Sequence, residues 1–385
     1  MKQATEQRLR VAMVLERFDP KLGGLESWTE GMARFLLDRG HHVSVVACDG
    51  RGSSEGIVLE CVGHNPSFVG RAQLIAERLA QWHFDIVHDT GAGFSADVFQ
   101  PQTGSRLVNA DLDIAALPWR RWLRAKLAPS ARRWRRDLAA LERCQFIDPE
   151  RIIAVSDMVR RQIAERFGLD GARITVIHNG IDTARFDPAR LAERREVARQ
   201  RWGFTAATVF LLVANNFRLK GVAVAVRALA RLANALPHAR LAVAGSGDAT
   251  AYRQLAHRLG VADRVAFLGH LPDITDAYAA ADIAIQPTHY DACSLSTLEG
   301  LASGLPTITT ATNGAGELIT EGREGMVLPR STDHASLAAA MARLAGLTDR
   351  ACMGADARHL AVAHDVARNH ARVEEFYWHR LAVKR

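Results

Sequence analysis

Residues 281–310 have the sequence ADIAIQPTHYDACSLSTLEGLASGLPTITT, and this stretch decides what kind of fold the chain can form. The aliphatic segments 281–287 and 307–309 are each typical of a buried strand, and between them lie a small-residue loop and an apolar, helix-forming segment. Two carboxylates, Asp291 and Glu299, stand eight residues apart in this strand–loop–helix–strand unit. The first is on the loop, and the second is about one turn into the helix.

This unit has the layout of a site for a sugar nucleotide. Free amides at the start of a helix attract phosphate, and the flanking carboxylates can bind sugar hydroxyls on either side of it. The alternative is an ordinary loop acid followed by a glutamate that the helix dipole favours. Cys293 also lies in the loop, where a small buried filler is the better interpretation than a nucleophile.

Strand-like and helix-like segments alternate along the rest of the chain. The sequence predicts strands of a first domain at 10–15, 43–47, 57–62, 86–88, 152–155 and 175–177, and of a second at 209–214, 241–244, 265–268, 283–286 and 307–310. Segments 27–39, 222–235 and 251–259 have helical spacing. Such alternation predicts parallel sheets with helices on both faces. The boundary is expected near 180–205, where a turn at Asn179-Gly180 and a break at Asp187-Pro188 occur.

Two further loops carry groups that suit a phosphate ligand. Arg218, Lys220 and Gly221 follow the strand at 209–214 directly, which places hydrogen-bond donors and positive charge at a helix start. Gly23 and Gly24 follow the first strand and let the backbone approach a ligand closely. Each motif has an ordinary alternative, a solvated basic turn for the first and a simple glycine turn for the second.

These motifs together resemble the retaining glycosyltransferases of family 4, with Asp291 in place of the first glutamate of the E-x7-E signature and Ser294 in place of a usual glycine. Residues 176–182 match the Asn-Gly-Val-Asp turn of that family. The resemblance implies an α/β fold of the GT-B type, with two Rossmann-like parallel-sheet domains facing a central cleft. The expected parts are an acceptor-side domain at 9–185, a nucleotide-sugar domain at 205–365, and a helix at 366–385 that crosses back to the first domain.

The resemblance also implies a role for each site residue. Asp291, Lys220 and Arg218 take the catalytic roles, with Asp291 beside the donor sugar and the two cations on its diphosphate. The donor-binding residues are then Gly23, Gly24, Gln102, Ser294, Leu295, Ser296 and Glu299. Among these, Gln102 orients a sugar hydroxyl, the amides of 294–296 hold the diphosphate, and Glu299 binds the nucleotide ribose.

Composition limits the other classes of protein. The chain has 385 residues, of which 48% are hydrophobic and 24% charged, as expected of a soluble globular protein with two domains. Its five cysteines show no C-x-x-C pair, which favours a reducing compartment. The N-terminal region predicts no signal peptide and no membrane span. The family resemblance implies a nucleotide-sugar donor, expected to be a UDP-sugar, with no metal and no other cofactor. The D-x-D pattern of Asp111 and Asp113 is the rival indication of a metal.

A basic, tryptophan-containing patch is the most informative segment outside the motifs. Between 120 and 136 the chain carries eight basic residues and no acidic one, and Pro129 predicts two short helices. Tryptophan prefers the membrane interface and basic residues are attracted to anionic lipid, so we interpret the patch as a membrane-surface contact. Nucleic-acid binding and a solvated helix face are the alternatives. The patch consists of Trp119, Arg120, Arg121, Trp122, Arg124, Arg132, Arg133, Trp134, Arg135 and Arg136.

The resemblance is strongest to bacterial lipopolysaccharide core glucosyltransferases. It implies a hexosyltransferase that moves a hexose, with glucose expected, from a nucleotide sugar to a lipid-linked glycan such as the lipopolysaccharide core, with retention. The protein is then cytoplasmic and peripherally attached to the anionic inner face of the inner membrane, with no nucleic acid as a partner. Two alternatives stand. A sugar-nucleotide epimerase of the same fold would not need the patch, and a catalytically silent membrane- or nucleic-acid-associated binding protein would not need Arg218 and Lys220.

Overall fold

The chain divides into two compact units. The computed structural model describes residues 8–19, 23–51, 55–115, 119–346, 348 and 350–384. The first unit comprises Met1–His178 together with Asn369–Arg385, and the second comprises Asn179–Arg368. The change of unit at residue 178 lies just before the 180–205 segment in which the sequence places the boundary.

Parallel strands form the centre of the first unit. Within its described residues the main sheet has the order β3-β2-β1-β4-β5, and a second, two-stranded sheet pairs β6 with β7. The strands are β1 (Arg10–Phe18), β2 (His42–Gly50), β3 (Val58–Cys61), β4 (Ile86–Asp89), β5 (Val98–Phe99), β6 (Ile153–Ala154) and β7 (Thr175–Val176).

Strand β1 shows why this sheet must be covered on both faces. Its residues from Val11 to Leu15 are all buried, as expected of a central parallel strand rather than one with a solvated face. Val11, Met13 and Leu15 pack into one core with the first and last helices of the unit, whereas Ala12 and Val14 pack into a second core on the opposite face. The continuous aliphatic run in the sequence therefore corresponds to a strand buried on two sides.

The second unit contains a larger parallel sheet of the same kind. Its order is β10-β9-β8-β11-β12-β13 within the described residues. The strands are β8 (Thr208–Val213), β9 (Ala239–Ala244), β10 (Val265–Gly269), β11 (Ile283–Ile285), β12 (Thr307–Thr310) and β13 (Gly325–Leu328). The order reverses between β8 and β11, and the carboxyl ends of strands at such a switch point form the ligand crevice of doubly wound sheets.

Helices connect the strands in both units. Those of the first unit are α1 (Gly24–Asp38), α2 (Phe68–Leu79), α3 (Arg106–Ala115), α4 (Trp119–Leu127), α5 (Pro129–Gln145) and α6 (Asp157–Phe167). Those of the second are α7 (Pro188–Trp202), α8 (Val222–Arg231), α9 (Thr250–Arg258), α10 (Thr275–Ala280), α11 (Leu295–Ala302), α12 (His334–Gly346) and α13 (Arg350–Ala363). The last helix, α14 (Val366–Lys384), begins in the second unit and ends in the first.

The alternating α/β pattern predicted from the sequence is confirmed, but two strands were not predicted. Strand β5 has only two residues, and β13 begins with a glycine after a charged segment. A Cβ atom at Gly325 would lie 2.0 Å from the carbonyl oxygen of Thr307 on β12. The close approach of β12 and β13 therefore requires glycine at this position. Glycine has a low strand propensity, so the sequence did not predict β13. The segment after Pro129 is also longer than a short helix, since α5 has 17 residues.

The close contact between α13 and the end of α11 gives a test of this packing. A Cβ atom at Gly354 would lie 2.3 Å from the carbonyl oxygen of Gly304, whereas one at Gly346 would meet no atom within 4 Å. Gly354→Ala should lower the free energy of unfolding by about 1–3 kcal/mol because backbone must move. Gly346→Ala, which makes the same chemical change on a helix, should cause no loss. Urea denaturation measures both, and equal stability of the two variants would contradict the contact.

Candidate functional site

The loop after β8 carries the predicted cations Arg218 and Lys220. It ends at Gly221, which has a φ of 75° and precedes the first residue of α8. A Cβ atom at Gly221 would lie 2.1 Å from the carbonyl oxygen of Pro287. Only glycine therefore lets this loop lie directly against the loop that follows β11.

Hydrogen bonds join the same two loops. The carbonyl oxygen of Leu219 accepts from the amide of His289 at 2.8 Å and from the hydroxyl of Thr288 at 3.0 Å. This junction brings Lys220 against Asp291, and their side chains form an ion pair. The two side chains are only 21% and 17% exposed, so the pair is partly withdrawn from solvent. Lys220 and Asp291, which are 71 positions apart in the sequence, thus form one charged pair. The side chain of Arg218, the other predicted cation, is exposed.

The start of α11 adjoins this pair. Ser294 is the N-cap of the helix, and its hydroxyl accepts from the amide of Thr297. The amide of Ser294 itself donates to Asn313 Oδ1 at 3.2 Å. In the part of the chain that the structure describes, the amides of Leu295 and Ser296 donate to no acceptor. Two of the three amides expected to hold a phosphate are therefore available, and the amide of Ser294 is not.

Asn313 holds this segment in place, and sequence reasoning missed it. Its Oδ1 accepts from the amides of Ser294 and Ala315, and its Nδ2 donates to the hydroxyls of Thr297 and Thr309 at 2.9 and 2.8 Å. The residue is 1% exposed. An asparagine before a glycine is a common turn signal. Nothing in the sequence therefore distinguished Asn313, a buried residue with four side-chain hydrogen bonds, from an ordinary loop asparagine.

Backbone bonds fix Asp291 from the same side. Its amide donates to the carbonyl oxygen of Thr312 at 3.0 Å, and its carbonyl oxygen accepts from the amide of Gly314 at 2.9 Å. The neighbouring Cys293 is buried, and burial raises the pKa of its thiol to about 12. A thiol with so high a pKa is a poor nucleophile, which agrees with the interpretation of Cys293 as a filler.

Glu299, the second acid of the motif, lies in the second turn of α11 and is half-buried. Its Oε2 accepts a hydrogen bond from the hydroxyl of Tyr278 at 2.7 Å. Burial raises the pKa of Glu299, whereas the Tyr278 hydrogen bond and the positive charges of Arg185 and Lys220 lower it. Lys220 is therefore close enough to influence both acids of the motif. Tyr278 and Arg185 were not predicted to belong to this site.

A third loop borders the basic one. Residues 245–248 follow β9, and a Cβ atom at Gly247 would lie 2.4 Å from the ring of Phe217. Gly245 and Gly247 match the first two glycines of the dinucleotide-binding pattern G-x-G-x-x-G, but the chain has Thr250 at the position of the third. The loop thus packs beside Arg218 without the glycine pattern of a nicotinamide site.

The remaining donor-binding predictions fall in the first unit. Gly23 has an extended backbone and precedes α1, which begins at Gly24, and Lys21 and Leu22 of the same motif lie outside the described residues. Gln102 is half-buried in the loop between β5 and α3, and its Nε2 has no hydrogen-bond partner within the described residues. Among the described residues, no hydrogen bond joins Gln102 to Gly23 or Gly24.

The basic, tryptophan-containing patch occupies α4 and the start of α5. Trp119, Leu123 and Leu127 recur every four residues on α4 and are 68%, 44% and 52% exposed. Arg124, Arg132, Arg133 and Arg136 are exposed as well, whereas the side chains of Arg120, Arg121 and Trp122 lie outside the described residues.

Trp134 and Arg135 of the patch contact other side chains of the first unit. The ring of Trp134 packs edge-on against Phe68, and Arg135 forms an ion pair with Asp111. Asp111 is thus engaged by an arginine, and Arg166 lies 3.5 Å from its other oxygen. No cluster of metal-ligating side chains is found among the described residues. Across that same part of the chain, every helix is too short or too polar to span a bilayer.

Family models match both halves of the chain. Residues 22–185 match the glycosyltransferase family 4 model, and residues 207–346 match the model of glycosyl transferases group 1. The first match lies mainly in the first unit and the second lies within the second unit. Together they include the predicted motifs at 23–24, 218–221 and 291–299.

Curated relatives and solved structures agree with these matches. Glycogen synthase of Mycobacterium tuberculosis (strain ATCC 25618 / H37Rv) is 36% identical over 213 residues, 54% of this chain and 48% of that protein. Lipopolysaccharide glucosyltransferase WaaG of Escherichia coli (strain K12) is 28% identical over 238 residues, 60% of this chain and 63% of that protein. The chain thus spans about half the length of the first of these curated relatives.

Two solved structures share the fold. A crystal structure of WaaG, described as a glycosyltransferase involved in lipopolysaccharide biosynthesis, has a TM-score of 0.79 at 24% identity and covers 94% of this chain and 98% of its own. Anabaena HepE in complex with UDP-glucose has a TM-score of 0.69 at 18% identity and covers 96% and 99% of the two chains. At these identities the likeness concerns the fold.

The contacts of Asn313 lead to a prediction about stability. Asn313→Ala leaves the buried amides of Ser294 and Ala315 without an acceptor, and each unsatisfied buried amide costs about 1–3 kcal/mol. We expect a clear loss of thermal stability, measured by differential scanning calorimetry. Asn109→Ala is the matched control because it removes a single exposed hydrogen bond, to the carbonyl oxygen of Thr103. A similar loss in both variants would show that Asn313 does not anchor the segment.

Proposed function

The chain belongs to the family 4 glycosyltransferases of the GT-B fold, and we propose that it transfers a hexose from a nucleotide sugar to a lipid-linked glycan. The observation that carries the proposal is the joining of the loops after β8 and β11, which pairs Lys220 with Asp291, four residues before the open amide of Leu295. Cation, carboxylate and helix start are the three groups that a sugar diphosphate requires.

Each group has a distinct task in the proposed reaction. Lys220, Arg218 and the amides of Leu295 and Ser296 bind the diphosphate and stabilise the charge that develops as it leaves. Asp291 accepts hydrogen bonds from the donor sugar, and Glu299 accepts them from the nucleotide ribose. The complex of HepE with UDP-glucose favours UDP-glucose as the first donor to test. The side-chain and backbone charges supply what a divalent ion supplies in other glycosyltransferases.

We assign retention of configuration to the reaction on the basis of the family. The acceptor oxygen bonds to the anomeric carbon on the face from which the diphosphate departs. The bond from that carbon to the phosphate oxygen breaks, and its electron pair passes to the phosphate oxygen. The hydroxyl proton of the acceptor then moves to this oxygen, so the step requires no side-chain base.

The acceptor is proposed from the surface of the first unit. The relative WaaG is a lipopolysaccharide glucosyltransferase. Helix α4 exposes a row of apolar side chains together with Arg124, and α5 adds exposed arginines at 132, 133 and 136. Such a row suits an interfacial helix, which buries apolar side chains in the lipid while its cations contact anionic headgroups. We propose peripheral attachment to the inner face of the inner membrane, which brings a lipid-linked acceptor to the enzyme.

Turnover of nucleotide sugars tests the donor site. Wild-type protein should hydrolyse or transfer from at least one of UDP-, ADP- and GDP-hexoses, and Lys220→Ala should lower the rate about 100-fold or more because one charge on the leaving group is lost. Arg227→Ala, an exposed cation on α8, should retain the wild-type rate. Epimerised donor without transfer would favour the epimerase, and the absence of all turnover would favour a binding protein. An unchanged rate in the folded Lys220 variant would remove this residue from the site.

Binding to vesicles tests the membrane surface. The protein should bind anionic vesicles at low salt and dissociate as salt rises, because this attraction is screened over about 10 Å at 0.1 M salt. Replacing Arg124, Arg132 and Arg133 by serine should weaken binding several-fold. The matched control replaces three exposed arginines of the second unit, Arg227, Arg231 and Arg258, which changes the net charge equally.

The same assay separates lipid from nucleic acid. Replacing Trp119, Leu123 and Leu127 by serine should also weaken vesicle binding, since these side chains contribute apolar contact rather than charge. If the wild type ignores anionic vesicles but binds single-stranded nucleic acid, the patch serves a different polyanion. Donor hydrolysis should be unaffected in every patch variant.

A further inference from the structure

Tyr278 makes a contact with Glu299 that the proposed reaction does not use. The residue lies on α10 and is 2% exposed. Its hydroxyl is 2.7 Å from Glu299 Oε2 and 3.2 Å from the carbonyl oxygen of Ser296. Its ring packs edge-on against Phe186 at a centroid distance of 5.4 Å. Tyr278 is thus held rigidly from one side and bonded to α11 from the other.

The direction of this hydrogen bond follows from the chemistry of the two groups. Burial raises the pKa of Tyr278 well above its ordinary value, and the nearby Glu299 carboxylate raises it further. The tyrosine therefore keeps its single proton at neutral pH and donates it to Glu299 Oε2, the closer acceptor. Within the described residues Glu299 Oε1 has no partner. One carboxylate oxygen is fixed by the protein, and the other is left for a ligand.

We propose that Tyr278 is a positioning residue that holds the carboxylate of Glu299 so that its Oε1 accepts hydrogen bonds from the vicinal hydroxyls of a nucleotide ribose. The inference rests on the proposed donor site and adds to it a determinant of specificity. A carboxylate fixed through one oxygen discriminates strongly between a ribose and a deoxyribose, because the deoxy form leaves Oε1 unpaired once the bound nucleotide covers it. A freely rotating carboxylate can turn to solvent and discriminates less.

The charges around Glu299 come from three segments. Tyr278 donates from α10, Lys220 approaches from the loop after β8, and Arg185 approaches from the segment before α7. Burial raises the pKa of Glu299, and these three groups lower it. Loss of the Tyr278 hydroxyl should therefore raise the pKa of Glu299. The ionised carboxylate is the stronger acceptor, so ribose binding is strong above the pKa of Glu299 and weakens below it. As the pH falls, the variant that lacks the Tyr278 hydroxyl should therefore lose ribose binding at a higher pH than the wild type.

The experiment measures binding of UDP, ADP and GDP, each with its 2′-deoxy and 3′-deoxy counterparts, by titration calorimetry between pH 5 and 8. For the nucleotide that the wild type binds best, Tyr278→Phe should weaken the ribose form about 10-fold and the deoxy forms much less. The ratio of ribose to deoxyribose affinity should thus fall. The acid side of the binding curve should move to higher pH.

Tyr377→Phe is the matched control. Tyr377 is also fully buried, and its hydroxyl makes one hydrogen bond to a side chain, His88 Nδ1 at 2.5 Å, in the first unit. This variant should lose comparable stability while keeping the wild-type ratio and pH curve. If Tyr278→Phe also keeps both, Tyr278 supports only the fold and the inference is wrong. If the wild type binds none of the three nucleotides, the proposed function itself is wrong, and this inference is overturned with it.

Discussion

The close approach of Gly221 to Pro287 is the constraint on which the candidate site depends. A side chain at Gly221 would occupy the position of the Pro287 carbonyl, so the loops after β8 and β11 could not lie together if this residue were larger. The two bonds to the Leu219 carbonyl then fix the position of one loop against the other. Because β8 and β11 flank the reversal of strand order, the parallel sheet itself opens a crevice at this point.

Charge balance explains why two such loops can stay together. Bringing Lys220 to the edge of the sheet without a partner would cost desolvation energy, and Asp291 compensates for that cost. A partly buried pair of this kind contributes little net stability, so ligand binding explains its presence better than folding does. In the proposed function, Lys220 is the cation for the phosphate and Asp291 is the carboxylate for the sugar hydroxyls, and the two charges neutralise each other before a donor arrives.

The sequence predicts the α/β alternation well because the central strands are buried on both faces. A strand such as β1 must then be apolar at every position, which is a strong local signal. Strand β13 has no such signal. Its first residue, Gly325, allows close approach to the backbone of Thr307 but has a low strand propensity. The spacing of Asp291 and Glu299 likewise reveals the motif. It cannot reveal Asn313 or Tyr278, whose importance comes from contacts made by distant segments after folding.

Asp291 stands where the family signature has its first glutamate. Its backbone is bonded on both sides, to Thr312 and Gly314, so the carboxylate cannot be repositioned by a shift of the chain. The shorter side chain still reaches Lys220. In the proposed reaction, an arriving diphosphate competes for Lys220, and the carboxylate of Asp291 that is released from the pair turns to the donor sugar. The proposal therefore couples binding of the diphosphate to recognition of the sugar through one ion pair. A donor that lacks the diphosphate would leave Asp291 occupied by Lys220.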